Sequence, residues 1–312
     1  MEKKYAIGAD IGGSHISSVV IDMELQELVE NSIGHVKVNN KASSNEILNK
    51  WKECLQQSIE TIDKTKLNGI GFAMPGPFDY ENGIALFTNQ NDKFGELNNV
   101  NVANELRNRL ELPKDTPFRF MNDATSFAVG EAWIGKSAGY DKSIAITLGT
   151  GFGSAFIANG IPVLEGANIP KLGCVWHLQH KDGIADDYYS TRWFIKSYAH
   201  KTGKSLPGVK EIAEAAVTDK IAKELFEEFG SELGKFMSEW IQKFDAKCIV
   251  MGGNILGAYH LFGASLEKAF ADKKINIKIQ ISELLETSAM IGSAKLINNE
   301  FWEKIKPLLS KM

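Results

Sequence analysis

Apolar residues crowd or alternate over 4–9 and again over 15–22, with the polar, glycine-rich stretch "DIGGS" (10–14) between them. That pattern predicts a β-hairpin, with 28–38 as a third antiparallel strand. The period then changes. Over 44–63, Ile47, Leu48, Trp51, Leu55, Ile59 and Ile62 share one helical face, and Ser44 is placed to cap the first turn. Residues 67–79 read as a buried strand ending in a Pro/Gly turn, and "NVANELRNRLEL" reads as a helix. "PFRFMNDATSFAVGEAWIG" is a strand, a polar break and a helix. A second hairpin follows at 142–163, then helical stretches at 186–200 and 208–245. "AKCIVMGGN" (246–254) is a strand leaving through two glycines; a helix, the alternating strand "INIKIQIS" and a final helical region complete the chain.

This alternation of strands and helices predicts α/β architecture. The two hairpins echo each other. Aligning Ile7 with Ile146 sets Asp10 on Gly149 and Gly12 on Gly151, which points to two similar halves. A length of 312 residues also suggests two domains, divided here as 1–121 with a C-terminal helix at about 298–312, and 122–297.

Composition narrows the function. Hydrophobic residues are 44% and charged residues 24% of the chain, and the net charge is −4 with no basic run, so nucleic acid is a poor candidate partner. No apolar stretch approaches the roughly 18–20 residues that span a bilayer, so no membrane partner is expected. "MEKK" leads straight into a strand without an apolar leader core, and Cys54, Cys174 and Cys248 are isolated and odd in number. Both features lead us to expect a cytoplasmic protein without a disulfide framework.

Three strand-ending turns carry candidate chemistry: "DIGGS" (10–14), "GTGFG" (149–153) and "GGN" (252–254). Glycines allow positive φ and let backbone N–H groups approach an anion closely. Ser14 and Thr150 add hydroxyl donors. Asp10 alone would repel a phosphate; it fits if a divalent cation such as Mg²⁺ lies between the two, directly or through water. None of the turns matches a P-loop or a dinucleotide fingerprint. Asn122 and Asp123 follow an apolar strand, at the strand end where open α/β sheets bind ligands. Asp123 there is either a base that takes a proton from an attacking hydroxyl or the N-cap of the next helix.

"DIGGSHISSVVID", "GFAMPGPFDYENG", "MNDATSFAVGE", "LGTGFGSAFIANGIPVLEGANIPKLG" and "VMGGN", in this order, resemble the ROK family of repressors, open reading frames and sugar kinases over essentially the whole chain. The resemblance implies two actin-like ATPase (ribonuclease H-like) domains with a cleft between them. It implies phosphorylation of a hexose or related sugar by ATP with Mg²⁺, at the 6-hydroxyl as in a glucokinase. It assigns Asp10, Gly12, Gly13 and Ser14, Gly149, Thr150, Gly151 and Gly153, and Gly252, Gly253 and Asn254 to the nucleotide. Pro75, Gly76 and Asn89 border the sugar, Asn122 binds it, and Asp123 is the catalytic base. It also implies a homodimer.

The chain departs from the family in "GCVWHLQHKDGIADDYYS" (173–190). Cys174 stands where a sugar-binding Glu is expected, His177 is kept as a sugar contact, Asp186 replaces a second sugar-binding Glu, and the zinc cysteines are missing. No structural zinc is therefore expected. Cys174, His177, His180 and Asp182 are the residues from which a different metal site would have to be built. Tyr188, Tyr189, Trp193 and Phe194 read as core packing. The alternative function is a sugar sensor with little or no kinase activity, motivated by this altered wall. Direct DNA repression is not expected, because the family's repressors carry a DNA-binding segment before the first strand.

Overall fold

The computed structural model describes residues 3–88 and 94–312, and the chain divides into two compact units, Met1–Gly135 with Glu286–Met312, and Lys136–Leu285.

The first unit opens with the hairpin β1 (Tyr5–Ile11) and β2 (His15–Asp22), extended by β3 (Glu27–Leu28) and β4 (Gly34–Lys37), which both pair with β2. The helix α1 (Ser44–Ile59) buries Ile47, Leu48, Trp51, Leu55 and Ile59. Its cap is Ser43, one residue before the expected Ser44, because the Ser43 hydroxyl accepts the N–H of Glu46 at 3.3 Å. The buried strand β5 (Leu67–Met74) pairs parallel with β1. The two-stranded pair β6 (Phe78–Asp79) and β7 (Ile84–Ala85), then α2 (Val102–Arg109), lead to β8 (Phe118–Asn122), parallel to β5, and α3 (Asp123–Trp133). The sheet order is β3-β2-β1-β5-β8.

The second unit repeats this plan. Its hairpin is β9 (Lys142–Leu148) and β10 (Phe152–Ala158), extended by β11 (Ile161–Pro162). The short pair β12 (Gln179–His180) and β13 (Gly183–Ile184) precedes α4 (Ala185–Tyr188), α5 (Thr191–Thr202), α6 (Val209–Ala215) and α7 (Lys220–Phe244). The predicted helix over 208–245 breaks before Lys220, where the Asp219 carboxylate accepts the N–H groups of Ile221 and Ala222 and starts α7 afresh. Then come β14 (Cys248–Gly252), α8 (Tyr259–Asp272) and β15 (Lys278–Ile281), giving the order β11-β10-β9-β14-β15. In both sheets the first two pairings are antiparallel and the last two parallel. The echo between the two hairpins is thus one part of a repeated topology. Tyr189 and Phe194 lie in this unit's core, with Tyr188 and Trp193 packed against it, as expected of that aromatic group.

The chain returns to the first unit with α9 (Thr287–Lys295) and α10 (Asn299–Ile305). The expected divisions at 121/122 and 297/298 therefore shift, since α3 and α9 both belong to the first unit. The two helices approach so closely that a Cβ at Gly292 would lie 1.8 Å from the Ser126 carbonyl oxygen. The Ser288 hydroxyl donates to the Phe127 carbonyl at 3.0 Å, and that of Ser293 to the Ala9 carbonyl at 3.4 Å. Among the described residues no helix is long and apolar enough to cross a membrane.

Candidate functional site

In the first unit the parallel strands β1, β5 and β8 end side by side, with Asp10 opposite Ala73 and Met74 opposite Asn122. This register brings together residues far apart in sequence: Asp10, the Pro75–Gly76 turn, Asn122 and Asp123. Asn122 is the N-cap of α3. Its Oδ1 accepts the Thr125 N–H at 3.2 Å, and its Nδ2 donates to Asp123 Oδ1 at 3.0 Å. Asp123 is therefore the first helical residue rather than the cap. Its Oδ1 also accepts the Ala124 N–H at 2.8 Å, while Oδ2 has no donor among the described residues. One oxygen is clamped, the other accepts no hydrogen bond among the described residues, and the capping role falls to Asn122. Tyr80, buried beneath Gly76, donates its hydroxyl to the Met74 carbonyl at 3.1 Å and fixes the strand end. Asn89 lies outside the described residues.

Asp10 is half-buried and, among the described residues, its carboxylate meets no hydrogen-bond donor. Loss of water, then the charges of Asp123 and Glu286, push its pKa up to about 7. Glu286 had no local signal in the sequence; it arrives with α9 from the far end of the chain. The neighbouring turn is closed by the Gly12 N–H donating to the His15 carbonyl at 3.0 Å, and the Gly13 carbonyl accepts from Asn40 Nδ2 at 2.5 Å. Ser14 is exposed at its tip.

In the second unit the turn after β9 is closed by the Gly149 N–H donating to the Gly151 carbonyl at 3.1 Å. A Cβ at Gly149 would meet no atom within 4 Å, so the turn is open on that side. Of the expected nucleotide-turn glycines only Gly253 is left-handed, at φ +93°. Its missing side chain admits the Leu148 backbone, whose carbonyl oxygen would lie 2.3 Å from a Cβ there. The Gly252–Asn254 turn is thereby set against the end of β9. At Gly151 a Cβ would lie 3.1 Å from an Asp186 carboxylate oxygen, so there close approach rather than positive φ is what glycine provides.

Asp186 does not take the place expected of a free sugar ligand. One carboxylate oxygen accepts the Phe152 N–H at 2.6 Å, and the other is paired with Arg192. Its short side chain ends on the second glycine turn. Thr191 and Arg192, which the sequence reading passed over, bind the same turn. The Thr191 N–H and hydroxyl both donate to the Gly149 carbonyl, at 2.8 and 2.9 Å, and Arg192 donates to the Thr150 carbonyl at 3.4 Å.

In the altered loop, Cys174 Sγ lies 3.7 Å from His177 Nδ1. Burial pushes the Cys174 thiol up to about 11, and burial with the nearby Lys171 charge lowers the His177 pKa, so both are neutral at pH 7. His180 faces elsewhere, 3.1 Å from the Tyr189 hydroxyl, and Asp182 accepts from Tyr188. The four residues do not converge, and the same tyrosines that anchor His180 and Asp182 belong to or flank the core.

Two sheets of one repeated topology, each with a glycine turn joining the two strands of its hairpin, define a protein of the actin-like ATPase fold. The ROK family model matches residues 6–300, and the chain belongs to the ROK family. A glucokinase of Thermotoga maritima is 24% identical over 331 residues, covering 95% of this chain and 98% of the relative. An N-acetyl-D-glucosamine kinase of Haemophilus influenzae is 26% identical, covering 82% and 86%. Among solved structures, a ROK family glucokinase of Streptomyces griseus in complex with glucose and AMPPNP aligns with TM-score 0.73 and 22% identity, covering 95% and 99%. A ROK hexokinase of Thermus thermophilus gives 0.76 and 17%, covering 96% and 99%.

Proposed function

We propose that this protein is an ATP-dependent sugar kinase acting on a hexose or an N-acetylhexosamine, with transfer to the 6-hydroxyl. The observation that carries this reading is Asp123, clamped through Oδ1 by Asn122 and the Ala124 N–H and free at Oδ2. A carboxylate so held has one oxygen fixed in orientation and one ready to accept the proton of an attacking hydroxyl. The kinase names of the relatives support the class, and they divide between glucose and N-acetylglucosamine. Gly76, Asn122 and His177 are the proposed sugar contacts. Neutral His177 can both donate and accept. The open N–H groups of the glycine turns, with Ser14 and Thr150, are the proposed phosphate contacts.

Asp10 fits Mg²⁺. It is an oxygen donor without a hydrogen-bond partner among the described residues, in a carboxylate-rich setting that favours a cation. Among the described residues no group of three or more His, Cys, Asp or Glu has metal-holding geometry. An Mg²⁺ ion at Asp10 would be held by that carboxylate, water and phosphate oxygens. When bound, Mg²⁺ would neutralise charge on the transferring phosphoryl group.

The test is ADP release with Mg-ATP over a panel of hexoses and N-acetylhexosamines. Sugar-dependent turnover that falls about 10²–10⁴-fold in Asp123→Asn is the expected result. Saturable sugar binding with no turnover for any sugar would replace the kinase reading with a sensor, with the Cys174 loop as its cause.

A further inference from the structure

Asp186 and Arg192 form a charge pair directly on the second glycine turn. Asp186 occupies the Phe152 N–H, the amide that follows Gly151. Left alone, its negative charge would repel a phosphate approaching that turn. Arg192 answers it with one guanidinium nitrogen, while another reaches the Thr150 carbonyl. A guanidinium has five N–H donors, and these contacts use two. The remaining three have no acceptor among the described residues, and the side chain is about half exposed at 48%. Its position is fixed by its neighbour: Thr191 fastens the first residue of α5 to the Gly149 carbonyl through both backbone and hydroxyl. Arg192 is thus a cation that follows a residue tied to the turn, and its orientation is set by a carboxylate that also binds the turn. An exposed ion pair that served only the surface would need none of these links to the glycine turn.

The geometry points to Arg192 as a phosphate-binding residue for the nucleotide donor, with Asp186 as its positioning residue rather than a sugar ligand. This rests on the kinase reading above and adds to it a residue of this chain that binds the donor's phosphates. The fork-shaped guanidinium suits phosphate oxygens, and the turn's own N–H groups, which lack formal charge, complete the cradle.

The test measures binding of the Mg-complexed, non-hydrolysable ATP analogue, of adenosine and of sugar to the full chain. Arg192→Gln should weaken the analogue about tenfold or more, as loss of a charge-assisted hydrogen bond does, and leave adenosine and sugar unchanged. Arg192→Lys should recover part of the loss and steepen no sugar dependence. Asp186→Asn should act in the same direction on the analogue, and the double variant should lose less than the product of the singles. Thermal melts accompany each variant; if Asp186→Asn fails to fold, the exposed Arg192 variants still decide. Wild-type-like analogue binding by Arg192→Gln overturns the proposal while leaving the kinase reading standing. So does an Asp186→Asn variant that loses sugar affinity and keeps nucleotide affinity. A wild-type protein that binds no nucleotide overturns both.

Discussion

Asn122 uses one side chain for two tasks: Oδ1 caps α3 through the Thr125 N–H, and Nδ2, 3.0 Å from Asp123 Oδ1, holds the candidate base. The two tasks can be separated by substitution. Asn122→Ala removes both, and should cost about 1 kcal/mol of stability as well as turnover. Asn122→Asp keeps a good cap but replaces the donor with a second carboxylate. Its denaturation midpoint should stay near wild type while kcat falls. The acidic limb of its pH–rate profile should move to higher pH, because a like charge favours the protonated form of the pair. Denaturant melts and a pH–rate series on the two variants check this.

The raised pKa of Asp10 makes folding pH-dependent. In the fold its carboxyl holds a proton up to about pH 7, whereas the unfolded chain releases it near 3.8. The folded state binds the extra proton between those values, so stability is fully present below about pH 4 and is lost as pH rises through 7. Asp10→Asn removes this dependence. Melts without divalent cation should show the variant gaining stability over wild type at pH 8 and matching it more closely at pH 4–5. Added Mg²⁺ with nucleotide should raise the wild-type melting temperature at pH 8 and raise that of the variant less.

Gly292 is where α9 meets α3. A methyl group there would lie 1.8 Å from the Ser126 carbonyl oxygen, which is backbone and has no rotamer to change. Gly292→Ala should therefore destabilise by about 1–3 kcal/mol or more, read by chemical denaturation. Because α3 begins at Asp123, the surviving folded fraction should also turn over more slowly.

Cys174 and Cys54 are both held protonated, each with its pKa pushed up to about 11 by burial. Thiolate is the reactive form, so both should label slowly with a disulfide reagent at pH 7 in the native protein and rapidly in denaturant. Fast native labelling at Cys174, located by mass spectrometry, would contradict the burial of that thiol.

Periodicity was enough for the alternation of the longer strands and helices, and the echo between the two glycine turns pointed to the duplication, while the short pairs β6/β7 and β12/β13 left no such trace. The 2-residue and 3.6-residue repeats report which side of each element is buried, and that information is local. The glycine turns, Asn122 and Asp123 were legible for the same reason: they interrupt an apolar pattern at strand ends. Three things were beyond it. Capping by Ser43 and Asn122 rather than Ser44 and Asp123 depends on a one-residue offset in where the backbone turns helical, which periodicity does not resolve. The domain limits depended on α3 and α9 packing together across more than half the chain. The partners of Asp10 and Asp186 were likewise decided in three dimensions. Glu286 comes to Asp10 from the far end of the sequence, and a carboxylate one methylene shorter than glutamate reaches the 149–152 turn, where Phe152 and Arg192 hold it. Such pairings follow from chain segments brought together by the sheets, so only the folded chain contains them.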